Sequence, residues 1–258
     1  MAFAFLGRAL RRAAALPPLT AEEVAAFHRD GFLAIPRFTT PEDVAGIRRI
    51  VAGLFARFDR LPPGHAIDLG DEARPDGAPQ IPEINWACAL APELRRTVAF
   101  ARGLALASQL LGLPARPTGY DHAILKPPHN GRATPWHQDQ AYTTDRGPLA
   151  SVHFWIPLQP VDVTMGCMQF IPGSHLGPLL AHRRREGRRT AHVLEALEVD
   201  PRAAVACPLP LGGATAHLPR TLHYTGPNET DEPRYAWSLE FAPCAPGWRR
   251  LLPGPRRA

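Results

Sequence analysis

The chain has 258 residues, 45% of them hydrophobic and 21% charged, with a formal charge of +5. That is ordinary globular composition, enough for one large domain or two small ones, and one is expected. No run approaches the ~20 uninterrupted apolar residues that cross a bilayer, and cysteines 88, 167, 207 and 244 form neither a CxxC pair nor a dense framework. Zinc knuckles and secreted disulfide scaffolds are therefore disfavoured, and a reducing cytoplasm is the expected compartment.

Met1 to Pro17 carries Arg8, Arg11 and Arg12 and no acid. It reads as a frayed terminal extension of an 18–258 domain, with a targeting peptide as the alternative. "LTAEEVAAFHRDG" follows as a helix with Thr20 as N-cap, Glu23 completing a capping box and Gly31 as the stop. "FLAIPRF" is a short strand. "TTPEDVAGIRRIVAGLFARF" is a second helix, capped by Thr40, with Pro41 at the first helical position and Val44, Ile47, Val51, Leu54 and Phe58 on one stripe. Residues 60–90 are rich in Pro, Gly and Asp and read as a long irregular segment of the kind that supplies lids. "APELRRTVAFARGLALASQLLG" returns to helix, in two pieces broken near Gly103.

From Pro117 the texture changes to short apolar or alternating runs separated by turns: "GYDHAILK", "SVHFWIPL", "CMQFIPGS", "AVACPLPL", "ATAHLPRTLHYTG" and "RYAWSLEF". Such spacing predicts an all-β sandwich or barrel over about 117–243. With the helical part over about 18–113 placed before it, the chain is α+β.

The charge invites a polyanionic partner, but the arginines are scattered apart from "RRREGRR" at 183–189. A solvated loop explains that run, with an anionic group such as a CoA phosphate as the alternative, and no nucleic-acid partner is expected. Lys126 is the only lysine in the chain, which singles it out for chemistry.

"PWHQDQAY" places His137 and Asp139 two residues apart. In an extended chain that spacing puts both on one face and turns Gln138 away. His223 in "TLHYTG" can supply a third ligand from another strand. Two histidines and one carboxylate on one face of an ion leave three positions open, an arrangement that points to non-haem Fe(II); zinc accepts the same ligand types. Arg234 lies eleven residues after His223, in "RYAWSLEF", where alternation puts Arg234, Ala236 and Ser238 on one face and Tyr235, Trp237, Leu239 and Phe241 on the other. A planar, permanently charged guanidinium among small residues suits an anionic carboxylate; a salt bridge to Glu240 or Asp231 is the structural alternative.

"PWHQDQAY", "GCMQFIPGSHLG" and "LPRTLHYTGPNETDEPRYAWSLEF", in that order, resemble the signature blocks of the phytanoyl-CoA dioxygenase family of Fe(II)/2-oxoglutarate oxygenases. The resemblance covers roughly residues 18–243. It implies a double-stranded β-helix, a cupin-like jelly roll with N-terminal helices packed outside. It further implies iron held by His137, Asp139 and His223, and Arg234 gripping the distal carboxylate of 2-oxoglutarate. Gln138, Trp155, Thr225 and His122 match positions the family places near the cosubstrate. Met165-Gly166 and Gly213-Ala214 depart from the usual Asn-Gly and Gly-Asp, and neither pair includes a metal ligand. In relatives that halogenate, the carboxylate ligand is replaced by a small residue; Asp139 keeps it, so hydroxylation is expected.

The implied chemistry is decarboxylation of 2-oxoglutarate to succinate and CO2 with O2 as oxidant, ascorbate in support and a small molecule as substrate. A catalytically silent jelly-roll binding protein that retains metal and 2-oxoglutarate is the alternative. Parity also places His153 on the face of Trp155, and Tyr120 and His122 on that of Lys126, making His153 and Lys126 candidates for substrate contact. Asn85 and Trp86 join them from the irregular segment. His175 in "PGSH" reads as turn support, while Trp136 and Tyr142 either line the pocket mouth or pack the strand end.

Overall fold

The computed structural model of the protein describes Ala9 and residues 11–70, 77–146, 150–184 and 193–244. Helices α1 (Ala21–Asp30), α2 (Pro41–Phe55), α3 (Ala87–Leu90) and α4 (Val98–Leu111) are accompanied by short early strands β1 (Phe32–Ile35), β2 (Ala66–Asp68) and β3 (Pro82–Asn85). The strands that follow are β4 (Ala115–Lys126), β5 (Thr134–His137), β6 (Val152–Pro157), β7 (Met168–Phe170), β8 (His182–Arg184) and β9 (Leu194–Ala196). The chain continues with β10 (Val205–Cys207), β11 (Ala214–His217), β12 (His223–Thr225) and β13 (Arg234–Pro243).

A seven-stranded sheet in the order β1-β11-β6-β13-β4-β3-β2 and a four-stranded sheet in the order β10-β7-β12-β5 make a jelly roll, with β8 and β9 as a separate hairpin. The pairings are antiparallel throughout, so each strand alternates between the two faces of its sheet. Phe154, Ile156, Trp237, Leu239 and Phe241 pack outward into a core shared with Val44, Ile47, Val51, Leu54, Leu106 and Leu110 of the helices. Burying each such side chain contributes roughly 1.5–3 kcal/mol, so this cluster anchors the large sheet. The opposite parity points inward: Trp155 and Ala236 meet Met168, Phe170 and Cys207 of the small sheet in a second, smaller apolar cluster.

The helix signals act as local chemistry predicts. Thr20 Oγ1 accepts from Glu23 N at 3.1 Å while Glu23 Oε2 accepts from Thr20 N at 2.7 Å, and Gly31 ends the helix at φ 83°. Asp43 reaches across from α2 and accepts from Val98 N and Ala99 N at 2.9 and 2.8 Å, capping the start of α4.

Four expectations change. Helix α4 runs unbroken through Gly103, and the break falls at Thr97, after a 3-10 segment over Pro92–Arg96. Gly103 is needed for close approach, since a Cβ there would lie 2.8 Å from the Phe241 ring. Phe58 lies beyond α2, in a 3-10 turn. Residues 60–90 are not wholly irregular: β2 and β3 add two strands to the edge of the large sheet, because Ile84 can be buried against the helices. Finally, the segment before residue 18 is not free along its described part. Ala13 packs with Val98 and Ala101, and Arg102 Nη1 donates to Leu16 O at 3.4 Å. Residues 1–8 and 10 lie outside the described residues, as do 185–189 of the "RRREGRR" run; Arg183 of that run pairs with Glu195 across the β8–β9 hairpin.

Candidate metal and cosubstrate site

Strands β5 and β12 place His137 and His223 directly opposite one another, with ring centroids 4.0 Å apart. Each ring is held by the backbone two residues earlier: His137 Nδ1 donates to Pro135 O at 2.8 Å and His223 Nδ1 to Thr221 O at 2.9 Å. A carbonyl only accepts, so the proton sits on Nδ1 and each Nε2 keeps a lone pair aimed at the other strand. Burial depresses both imidazoles, His137 to about 3 and His223 to about 4, so both are neutral near pH 7 and ready to ligate.

Asp139 arrives differently from expectation. It does not continue the strand; β5 ends at His137 and Asp139 opens a 3-10 helix over Asp139–Arg146. Asp139 Oδ1 lies 3.6 Å from His137 Nε2 and 3.5 Å from His223 Nε2, on the side Gln138 turns away from. The three ligand atoms lie within 4.8 Å of one another, a spacing suited to one metal ion.

The other carboxylate oxygen is clamped. Asp139 Oδ2 sits 2.8 Å from His153 Nδ1 and 3.2 Å from His217 Nε2. Burial alone would raise the Asp139 pKa, but the surrounding histidines outweigh it and hold the carboxyl well below its usual range. His153 is also 3.5 Å from Glu240 Oε1, and although burial pulls its pKa down, the two carboxylates push it up to about 10. The clamp leaves Oδ1 facing the histidine pair, and its loss should be felt at the metal. His217→Ala is expected to weaken Mn(II) or Fe(II) affinity by about 10- to 100-fold, as outer-shell losses generally do; calorimetric metal titration reads this directly, and wild-type affinity would rule the clamp out.

Arg234 lies further along the inner face of β13, 1% exposed, with its guanidinium 5.4 Å from the centroid of Trp155. Neither alternative salt bridge forms: Glu240 pairs with His153, and Asp231 with His129 at 2.7 Å. Arg234 Nε and Nη1, Thr215 Oγ1 and His217 Nδ1 are buried polar atoms without a hydrogen-bond partner. Thr215 pairs with Trp155 across the sheet, so these orphaned groups belong to one stretch of the roll interior. Buried polar atoms are rarely left unmatched, so the Arg234 N–H groups and the Thr215 hydroxyl fit an anionic guest that brings its own acceptors, whereas His217 Nδ1, on a ring whose Nε2 donates to Asp139, is itself an acceptor.

Lys126 is the cross-strand partner of Arg234 and is fully buried. Its Nζ lies 3.1 Å from Thr225 O, 3.0 Å from Thr225 Oγ1 and 2.5 Å from Gly226 O, so it ties down the chain just after His223. The structure thus brings Thr225 and Lys126 to the Arg234 end and away from the mouth. Burial first, then the Arg234 charge, lowers the Lys126 pKa well below its ordinary 10.5. Between the lowered value and 10.5 the unfolded chain binds the extra proton, so stability should rise with pH there. Lys126→Met is expected to flatten that slope in urea titrations from pH 7 to 10; an unchanged slope would count against a charged burial cost.

Gln138 goes elsewhere. Its Nε2 donates to Arg220 O at 2.8 Å and Pro178 O at 3.3 Å, and its Oε1 accepts from Leu180 N at 2.9 Å. It joins two loops behind His137 and Asp139, which its expected turn away from the His137 face allows. His122 lies toward the mouth, its Nδ1 3.0 Å from Glu83 Oε1, and is the cross-strand neighbour of Asn85. Asn85 Oδ1 accepts from Tyr120 at 2.7 Å, and Trp86 is 41% exposed beside it. Trp136 packs the strand end, stacked on Tyr224 at 5.3 Å, while Tyr142 meets the His137 ring edge-on at 6.3 Å. His175 accepts its expected turn role, with Nε2 3.0 Å from His28 O.

Sequence reasoning passed over His217, Glu240 as an inner-face residue, and Glu83. Parity within "ATAH" would have aligned His217 with Thr215, and extending the Arg234–Ser238 face by two residues reaches Glu240. Glu83 had no such signal, because its strand lay in the segment read as irregular.

The model of the family described as "Phytanoyl-CoA dioxygenase (PhyH)" matches residues 27–236. The chain belongs to the phytanoyl-CoA dioxygenase family. This family member is 30% identical over 172 residues to an L-proline trans-4-hydroxylase of Streptomyces griseoviridis, covering 64% of this chain and 59% of that protein. It spans about half the length of the curated relatives it matches. Among solved structures, EvdO2 from Micromonospora carbonacea var. aurantiaca complexed with 2-oxoglutarate is 35% identical, with a TM-score of 0.75 over 93% of this chain and 96% of that one. The epimerase SnoN, in complex with Fe3+, alpha ketoglutarate and nogalamycin RO, is 25% identical, with a TM-score of 0.67 over 92% and 91%.

Proposed function

We infer that this family member is an Fe(II)- and 2-oxoglutarate-dependent dioxygenase that hydroxylates a small organic substrate, with 2-oxoglutarate converted to succinate and CO2. The observation that carries the reading is the unpaired, buried Arg234 guanidinium in the same roll interior as the His137, Asp139 and His223 donors. A structural arginine would have taken a partner; a cosubstrate arginine waits for one.

Fe(II), when held by His137, Asp139 and His223, supplies the oxidising chemistry with O2 and 2-oxoglutarate. The residues do the rest. His137 and His223 present neutral Nε2 atoms in a fixed tautomer, and His153 and His217 keep Asp139 ionised and oriented. Arg234 binds the distal carboxylate of 2-oxoglutarate with a planar fork that Trp155 backs, while Thr225, pinned by Lys126, closes that end of the cavity. The apolar cluster of Met168, Phe170 and Cys207 keeps water from the Arg234 end, which strengthens the ion pair formed there.

The helices of the N-terminal part form a layer outside the roll in this reading, and four free cysteines fit a reducing cytoplasm. A silent protein would have no reason to keep all four of His137, Asp139, His223 and Arg234. The test is purified protein incubated with Fe(II), ascorbate, O2 and 2-oxoglutarate against a His137→Ala control. Succinate above the control is expected; succinate equal to the control with measurable 2-oxoglutarate binding would favour the silent protein.

A further inference from the structure

The inner face between the metal donors and the mouth is lined by Glu83, Asn85, Tyr120, His122, His153 and Glu240. Parity brings them together: Asn85 faces His122 across β3 and β4, and Glu240 faces His153 across β13 and β6. Glu83 is only 5% and Asn85 only 8% exposed, so a guest would meet them in a desolvated setting. Each glutamate is paired with an imidazole, His122 with Glu83 at 3.0 Å and His153 with Glu240 at 3.5 Å. Each carboxylate keeps acceptor positions beyond its imidazole contact. Asn85 Nδ2 and His122 Nε2 add positions not used by the Tyr120 and Glu83 contacts. An array that mixes donors and acceptors matches hydroxyl groups, which do both.

The rim carries the second half of the argument. Trp86, Tyr120 and Tyr142 are the exposed aromatic side chains among the described residues, at 41%, 36% and 47%, and all three belong to this opening. Trp86 meets Tyr120 edge-on at 5.9 Å, Tyr120 stacks on His122 at 5.4 Å, and Tyr142 meets the metal-side His137. A ladder of rings therefore runs from solvent towards the metal donors. Trp86 is also held in the left-handed region at φ 55°, a costly conformation for a bulky residue and one that collects at ligand sites. Ile67 and Ile124 are the aliphatic positions of the same parity beside Glu83, and an acyl chain laid there would leave Asn85 Nδ2 and the second oxygen of Glu83 facing hydrocarbon.

We propose that the substrate is a polyhydroxylated ring, a pyranose unit of a glycoside, held with its C–H face on Trp86 and its hydroxyls on the Glu83–His122 and Glu240–His153 pairs. The proposal rests on the oxygenase reading for what happens to the sugar, but not for its binding. The probe is a panel of methyl pyranosides of gluco, galacto and manno configuration, observed by saturation-transfer NMR on the protein alone and with Mn(II) and 2-oxoglutarate. Choline and palmitoyl-CoA serve as the cationic and acyl competitors.

At least one pyranoside is expected to take saturation at its ring C–H protons, with affinity falling about five- to tenfold in Trp86→Asn and in Glu83→Gln. Asparagine tolerates the left-handed backbone, so the first variant keeps the turn, and a melting curve checks each fold. Pyranoside binding without 2-oxoglutarate binding would keep the sugar site and overturn the oxygenase reading. Binding of 2-oxoglutarate with no pyranoside signal, an equal signal in both folded variants, or displacement by choline or palmitoyl-CoA with no pyranoside preference would overturn the sugar site and leave the oxygenase reading standing.

Discussion

Arg234→Met should abolish 2-oxoglutarate binding and at the same time raise the melting temperature of the protein without ligand. The guanidinium is 1% exposed, its Nε and Nη1 have no partner, and its cross-strand neighbour is the buried Lys126. Burial pushes its pKa down, which is the expected sign for a cation taken out of water without a counter-ion. Replacing a buried charge by an apolar side chain of similar volume is often stabilising, by about 1–4 kcal/mol. Removing one member of a buried charge pair costs the complex about 2–5 kcal/mol, which is roughly 30- to 5000-fold in Kd. Calorimetry with Mn(II) present reads the second effect and a thermal melt the first. A residue with a purely structural role would move both in the destabilising direction, and that pattern would remove Arg234 from the cosubstrate site.

Asp139→Ala carries the other large effect. Four imidazoles surround the carboxylate: His153 and His217 donate to it at 2.8 and 3.2 Å, and the bare Nε2 atoms of His137 and His223 face it at 3.6 and 3.5 Å. Its removal deletes the proposed carboxylate donor and the acceptor that holds His153 and His217. Metal affinity is expected to fall by more than about 100-fold, since a first ligand counts for at least as much as the outer-shell partners that cost 10- to 100-fold. Succinate formation should drop to background. Asp139→Asn, which keeps the volume, separates charge from packing: a fold restored without metal binding is the expected result. If either variant turned over 2-oxoglutarate at the wild-type rate, the metal would have to sit elsewhere.

Much of the scaffold was legible because its causes are local. Thr20, Glu23 and Gly31 act within one helical turn of each other, and the stripe from Val44 to Leu54 follows from helical periodicity. The strands after Pro117 follow from alternation and turn residues. Where reading failed, the deciding contact came from far away in the chain. Gly103 looked like a helix break because the Phe241 ring that demands a glycine there belongs to the last strand. Residues 60–90 looked irregular because β2 and β3 are short strands that add to the sheet through β4, which comes later in the sequence.

The same division runs through the site. By itself the sequence determined which residue types could serve as donors and their order, in the proposed set His137, Asp139, His223 and Arg234, and the parity that turns Arg234 inward. Only the tertiary structure decided the rest. His223 comes to face His137 and Asp139 across β12 and β5, His217 clamps Asp139 from 78 residues away, and His122 finds Glu83 across 39. It also left Arg234 without a partner and spent Lys126 on holding Thr225 and Gly226. The reason is geometric. Alternation along a strand says which face a side chain takes, but the partner it meets there depends on the register between strands and the approach of the facing sheet.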